Sequence, residues 1–438
     1  MPADPTSDAP AVPTRRDGPG AAVLYLSYDG MTDPLGASQV LPYLAGLSAL
    51  GHRITLVSFE KQALDSVAAK AVADECAQAG ISWRPSRYHK SPPILSTLRD
   101  LWRMRRIASD ECRRGEYDWV HCRSTLPAMV GQSLKRRFGL RFLFDMRGFW
   151  ADERVEGGLW PLDQPLFAAI YRFFKQREAD LLRHADAIVS LTHAAVPDLR
   201  ARLARLTPAA ASVPIHVIPC CVDFAAFPPV DAPRRTAARI ALGIDADRRV
   251  CAYLGSIGTW YMLGEMLDAF AVLLRLVPDA LFLIVTRDAP APILAAASAR
   301  GLPADALMIR SAARDEVATL VAAADVGLFF IRATYSKTAS CPTKLGEFLA
   351  LEIPVIANRG VGDVDQVIAD TRGGVLVDDF FAAACERAFA SVEALAPADA
   401  VWRSEARRWF DLGMGVAAYD AIYRAAPSDS NSATSRGA

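Results

Sequence analysis

Short apolar runs recur along the chain with longer amphipathic segments between them. Val23–Ser27, Ile54–Ser58, Trp119–His121, Phe142–Asp145 and Ala187–Ser190 form a first series, each followed by enough residues for a helix. A buried run that returns after a helical pattern predicts parallel βαβ units in a doubly wound sheet. A second series follows a Pro-rich passage: Val250–Gly255, Leu281–Val285, Leu307–Ile309, Val326–Phe330, Val355–Ile356 and Gly374–Val377. The pattern therefore predicts two Rossmann-like α/β domains in tandem, 21–205 and 206–399. Their joint falls between about 195 and 232, around Ile215–Asp223. Beyond 400, Trp402, Trp409 and Phe410 among Arg and Glu predict a last helix over 400–425. Residues 1–20 and 426–438 are rich in small and polar residues, and disordered tails are expected there.

Composition agrees with this layout. A chain of 438 residues, 52% hydrophobic and 22% charged, exceeds one compact core and suits two. Lys+Arg and Asp+Glu both number 49, so no nucleic-acid partner is expected. The balance is locally uneven, because Arg84–Arg141 holds 14 Lys/Arg against 5 Asp/Glu. Eight cysteines without a CxxC pair indicate neither a zinc site nor a disulfide framework, and a reducing, cytoplasmic compartment follows. The first 20 residues lack the apolar segment of a signal peptide, and no run of 18 uncharged apolar residues occurs.

The richest chemistry lies in Ser340-Cys341-Pro342-Thr343-Lys344-Leu345-Gly346-Glu347, followed by an apolar turn, the run Ile353–Ala357 and Gly360-Val361-Gly362-Asp363. It reads as a loop, a helix start with Pro in its first turn, a buried strand and a glycine-bearing loop. Such a helix start offers backbone N–H groups to an anion, with Lys344 adding an ammonium and Glu347 a carboxylate. The segment resembles the nucleotide-sugar site of the family-4 glycosyltransferases of the GT-B fold, in the subgroup that reads SPTK here, with Cys341 in place of that Ser. The resemblance implies that the helix start meets the donor diphosphate and that Glu347 holds the ribose hydroxyls. Taken by itself, the segment also suits a capped Rossmann-like helix with a surface lysine, the lesser of the two readings.

Other segments resemble the same subgroup in the expected order. Asp33–Leu44 is similar to its DPLGxSQVLPYL stretch, where Gly36 allows close approach of backbone to a diphosphate; GxGxxG is absent, which disfavours a dinucleotide-dependent dehydrogenase. His121, after the run Tyr117–Val120, either bonds neighbouring backbone or contacts a sugar, as the family histidine does. Asp145–Glu153 resembles DxRGFWxDE; Asp145, Arg147, Asp152 and Glu153 are expected on the acceptor side, although internal ion pairs suit the same spacing. Gly255–Tyr261 resembles GSLGTWY, and Ile215–Asp223 resembles the IPNGVD joint with Cys220-Cys221 replacing Asn-Gly.

Two departures from the broad family matter. Ser256 stands where an Arg normally meets the diphosphate, so the cations are expected from Arg332, Lys337 and Lys344. The first Glu of the EX7E pattern is Ala339, so Ser340 and the N–H groups near Thr343 are expected to share the sugar contacts.

The resemblance implies a GT-B enzyme that moves a sugar from a nucleoside-diphosphate sugar to a glycan or lipid-linked acceptor, with retention and without a metal or other cofactor. It places His121, Lys344 and Arg332 in catalysis, and Gly36, Ser256, Lys337, Ser340, Thr343, Lys344 and Glu347 at the donor. A nucleotide-sugar epimerase of the same fold and a noncatalytic nucleotide-sugar-binding protein remain as alternatives. Residues 94–106 place Ile94, Leu95, Leu98, Leu101 and Trp102 on one helical face, Arg105 within it, and Arg99, Arg103 and Arg106 on the flank. That helix either packs on its own sheet or lies on an anionic membrane surface, which would make the protein peripheral to the inner face.

Overall fold

The computed structural model describes residues 20–395 and 401–426. The expected tails at 1–19 and 427–438, and the boundary at 399/400, lie outside the described residues. Two parallel sheets form the two domains. In the first, β1 (Ala22–Ser27), β2 (Arg53–Glu60), β3 (Ser82–Arg87), β4 (Trp119–Arg123), β5 (Arg141–Asp145), β6 (Ala187–Ser190) and β7 (Ile215–Val217) lie in the order β3-β2-β1-β4-β5-β6-β7. In the second, β8 (Val250–Leu254), β9 (Leu281–Val285), β10 (Leu307–Arg310), β11 (Val326–Phe329), β12 (Val355–Asn358) and β13 (Gly374–Val377) lie in the order β10-β9-β8-β11-β12-β13. The order reverses between β1 and β4 and again between β8 and β11. Loops leaving the carboxyl ends of those strands therefore open onto a crevice.

Two strands escape the apolar pattern. β3 carries Pro85 and, apart from the buried Ser86, holds only exposed and half-buried residues, as an edge strand does. β7 pairs with β6, Ile188 opposite Ile215, so the first sheet continues past residue 205. The division at 205/206 is corrected accordingly, because this strand belongs to the first sheet.

The C-terminal segment is two helices, Val401–Phe410 and Leu412–Arg424. Asp411 breaks them: its extended backbone ends the first, and its carboxylate caps Gly413 N–H at 2.8 Å to start the second. The first packs on the second domain, with Phe410 and Ala406 in its core. The second carries Val416, Tyr419, Ile422 and Tyr423 into the core of the first domain, at roughly 1.5–3 kcal/mol for each large side chain buried. The crossing back to the first domain is thus made by one helix of the pair.

Candidate active site

The Thr343–Ala350 helix begins after Pro342; Leu345 N–H in its first turn donates to the Pro342 carbonyl at 3.0 Å, and the N–H groups of Thr343 and Lys344 precede any intrahelical acceptor. Lys344, in that turn, does not extend into solvent. It is 5% exposed, with Nζ donating to Tyr253 Oη at 2.9 Å and lying 4.2 and 3.7 Å from the ring centres of Tyr253 and Tyr261. No carboxylate pairs with it among the described residues. Burial pushes its pKa well below the ordinary lysine value, and Glu347 only partly offsets this. A buried ammonium faced by π-systems and one hydroxyl is a preorganised place for an anion.

The β8 turn is built around the same ammonium. Gly255 has φ 118°, and a Cβ there would lie 3.2 Å from Lys344 Nζ. Ser256 is exposed and offers its carbonyl to Tyr253 Oη. The charge absent at Ser256 is therefore supplied to this turn by Lys344 from the helix.

The other cations named from the sequence are placed differently. Lys337 is buried with Nζ on Glu153 Oε1 at 2.7 Å and over the Trp260 ring at 4.0 Å. It is thus spent on an ion pair between the domains. Arg332 is exposed, and its backbone N–H, not its guanidinium, ties it to Trp260. Glu347 is buried and pairs through Oε1 with Arg314, whose guanidinium also lies over Phe227. Nothing in the local pattern around Arg314 announces this role.

Gly36 is needed for a different close approach. A Cβ there would come 2.1 Å from the carbonyl oxygen of Gly30, so the glycine lets the chain after β1 fold on itself.

On the first domain, His121 lies inside β4, 1% exposed. Its Nδ1 is 2.6 Å from Tyr423 Oη and its Nε2 3.4 Å from Asp145 Oδ2. Burial lowers its pKa against the pull of Asp145. With both nitrogens engaged and Tyr25 and Tyr419 packed on its ring, His121 touches no cleft. The expected direct sugar contact is corrected: the last helix covers this residue, and His121 positions Asp145. Asp145 is wholly buried, with Tyr419 Oη at 3.2 Å and Arg147 Nη1 at 3.8 Å. Burial would raise its pKa, but Arg147, His121 and Arg123 hold it below the ordinary carboxylate value.

Arg123 ends β4, buried and bonded to Asp29 at 3.3 Å. It stands two residues beyond His121 at the strand tip, where no motif marks it. Ser124 and Arg147 follow β4 and β5 with φ 72° and 54°, a costly conformation for residues with a Cβ that clusters at functional loops.

The DxRGFWxDE-like loop divides. Asp152 turns inward, Oδ1 taken by Tyr171 and Oδ2 by Lys175, both at 2.8 Å, so it anchors one helix to another and leaves the cleft. Glu153 faces the second domain through Lys337. Around that pair the segment Arg332–Ser340 clasps the first domain: Ser336 N–H donates to Glu156, Tyr335 stacks on Phe149, and Thr192 Oγ1 donates to the Thr338 carbonyl at 2.7 Å. Asp363 accepts the N–H groups of His193 and Ala194 at 2.7 and 2.8 Å. Ser340 and Thr343 are half-buried between this clasp and the helix start.

Residues 36–221 match the model of a glycosyl transferase 4-like domain, and residues 234–409 match that of glycosyl transferases group 1. The chain belongs to the family-4 glycosyltransferases of the GT-B fold. A D-inositol 3-phosphate glycosyltransferase of Segniliparus rotundus is 27% identical over 268 residues, 60% of this chain and 55% of that protein. The match thus spans about half of that relative's length. Among solved structures, sucrose-phosphate synthase of Thermosynechococcus elongatus superposes with TM-score 0.68 at 18% identity, covering 92% of this chain and 98% of that one. HepE of Anabaena in complex with UDP-glucose gives 0.65 at 13%, covering 92% and 99%. These likenesses show the GT-B fold. In this glycosyltransferase the facing sheets bring the Thr343 helix, the β8 turn and the β5 loop to one cleft.

Proposed function

We propose that this glycosyltransferase moves a hexosyl group, with retention, from a uridine-diphosphate sugar to a hydroxyl of a glycan or lipid-linked acceptor. The observation that carries the donor reading is the buried Lys344 ammonium at the start of the Thr343 helix, which pairs with no carboxylate among the described residues. The choice of uridine is supported by HepE, a protein of the same fold solved with UDP-glucose. In this reading the diphosphate sits on Lys344 and the first-turn N–H groups, with the Thr343 hydroxyl beside it. Glu347, held by Arg314, accepts the ribose hydroxyls. The sugar then lies toward Ser340 and the Glu153–Lys337 pair, below Asp145 and Arg147.

The chemistry is electrostatic. As the bond from the anomeric carbon to the diphosphate oxygen breaks, negative charge grows on the leaving group, and a prepositioned ammonium stabilises that charge by on the order of 3 kcal/mol. The acceptor hydroxyl forms the new bond on the same face, and its proton passes to the departing diphosphate. No covalent adduct with the protein is required.

Calorimetric titration with UDP, GDP, ADP and their sugar conjugates tests the donor site. UDP conjugates are expected to bind selectively, and Glu347→Ala to weaken them by about 1.5–3 kcal/mol, the worth of hydrogen bonds to a charged group. Unchanged affinity in the variant would remove Glu347 from the site. Product NMR tests retention, since an inverted anomeric centre would reject the mechanism.

The membrane reading has its own support. In the Pro93–Arg114 helix, Met104 and Ala108 pack inward, while Ile94, Leu95, Leu98 and Trp102 are each more than half exposed. Arg99, Arg103, Arg105 and Arg106 are exposed around them. The helix thus packs on its domain and still presents an apolar stripe with basic flanks. Co-sedimentation with phosphatidylserine-containing vesicles at low salt is expected. It should weaken by about 1 kcal/mol for each of Arg99, Arg103 and Arg106 changed to Ala, and equal binding to neutral vesicles would reject the electrostatic part. No helix among the described residues is long and apolar enough to cross a membrane.

A further inference from the structure

The two places where cysteine interrupts the subgroup's motifs, Cys220 at the joint and Cys341 before the donor helix, stand far apart in sequence and meet in the fold. Cys220 N–H donates to Cys341 Sγ at 3.4 Å, which brings the Cys341 sulfur against the Cys220 backbone. Arg147 Nη2 donates to Cys220 Sγ at 3.4 Å. Cys220 is 6% exposed. Its neighbour Cys221 points elsewhere, packed against Tyr43 and Gly415.

We propose that Cys220 and Cys341 are a thiol oxidation site, taking a hydroperoxide as oxidant and closing to a disulfide that pins the start of the donor helix to the first domain. The Cys220 thiolate attacks the outer peroxide oxygen, the O–O bond breaks, and one oxygen leaves as alcohol or water after taking a proton. Cys220 is thereby oxidised to a sulfenic acid. The Cys341 thiol then attacks that sulfur, the S–O bond breaks, and water leaves as the S–S bond forms. Two electrons pass from the thiol pair to the peroxide, and a dithiol returns them on reduction. Cys341 beside it, then the Arg147 and Arg123 guanidiniums, lower the pKa of Cys220 below the usual thiol value against the opposing effect of burial, which suits it to the thiolate role. Cys341 is held well above the usual thiol range and keeps the proton.

The consequence follows from what each cysteine is attached to. Cys221 N–H donates to Tyr43 Oη at 2.7 Å and Gln39 donates to the Cys221 carbonyl at 3.1 Å, which fixes the Cys220 backbone to the first domain. Cys341 lies two residues before Thr343, on the second. A disulfide would tie the domains beside the clasp of Arg332–Ser340 and slow the parting through which a donor enters. This effect on the donor rests on the Lys344 reading of the site; the thiol chemistry does not.

The test exposes the full-length reduced protein to stoichiometric hydrogen peroxide and maps peptides without reduction. A linked pair joining the Cys220 segment to the Cys341 segment is expected, lost in Cys220→Ser and Cys341→Ser and kept in Cys221→Ser. Stopped-flow tryptophan fluorescence with UDP should show association slowed at least tenfold by oxidation and restored by dithiothreitol. Cys341→Ser, compared with its own reduced state, should show no such slowing. Absence of the linked pair, or a pair made by Cys221, overturns the proposal even where UDP binds normally. A linked pair in a protein that binds no UDP when reduced leaves the oxidation site standing and removes the donor reading.

Discussion

Lys344→Met is expected to remove donor binding and to raise thermal stability in the same protein. The side chain that remains fills much of the same space between Tyr253 and Tyr261, but the ammonium is gone. Donor affinity should fall on the order of 100-fold, and kcat by on the order of 10²–10³, the usual effect of deleting a prepositioned group that stabilises developing charge. Stability should move the other way, because an unpaired buried charge is a cost that the free protein bears and the donor relieves. The pH dependence separates this account from a simple loss of packing. Burial lowers the pKa of Lys344 in the folded protein, while in the unfolded chain it returns to the ordinary lysine value. Between those two values the unfolded chain binds a proton that the folded one does not, so this residue makes stability rise with pH and its full cost applies below the lowered value. The gain in Tm from Lys344→Met should therefore be largest at low pH and shrink as pH approaches the ordinary lysine range. Donor binding to the native protein should weaken as pH rises above the lowered value, since the diphosphate needs the protonated form. Thermal scans and calorimetry on both proteins across pH 6–10 provide the check, with a lower Tm and unchanged donor affinity as the outcome against it.

Asp145→Ala should cost about 3–5 kcal/mol of stability, the typical loss when one partner of a buried charged network is removed. Asp145 is the carboxylate between His121, Tyr419 and Arg147, and Arg123 lies close enough to influence it. Without it, two buried guanidiniums face each other with less compensation. Asp145→Asn keeps the shape and should recover part of the loss. The sign with pH is opposite to that of Lys344. The folded-state pKa of Asp145 is depressed, so its contribution is complete above the ordinary carboxylate value and is lost as pH falls through the folded value. Urea denaturation at pH 7 and at about pH 2 should show the difference between native protein and Asp145→Asn narrowing at the lower pH, since the loss sets in only below the ordinary carboxylate value. A loss under about 1 kcal/mol for Asp145→Ala would contradict the network.

Much of the fold was legible because strand and helix periods are local. The apolar runs named β1, β2, β4, β5 and β6 in the first domain and all six strands of the second. β3 was not legible, since an edge strand with Pro85 needs no buried run. At the site, the order Pro342, Thr343, Lys344, Glu347 marked the helix start, and the absent charge at Ser256 directed attention to Lys344. The sequence could not show that Lys344 lies buried between two tyrosines from β8 and the turn after it. Nor could it distinguish Glu153, which reaches Lys337 across the cleft, from Asp152 beside it, which turns back to Tyr171 and Lys175.

The sequence by itself determined most of the elements, the tandem α/β architecture, the family and the start of the Thr343 helix, because periodicity, caps and motifs act over a few residues. Only the tertiary structure decided which of the named groups meet. His121 is closed off by Tyr423, 302 positions away, and Cys220 meets Cys341, 121 positions away. Lys344 acquires its character from Tyr253, 91 positions away. Burial and pairing at such separations depend on how sheets and helices pack in space, and that packing sets which charge is silenced, which is clasped and which is left for a ligand.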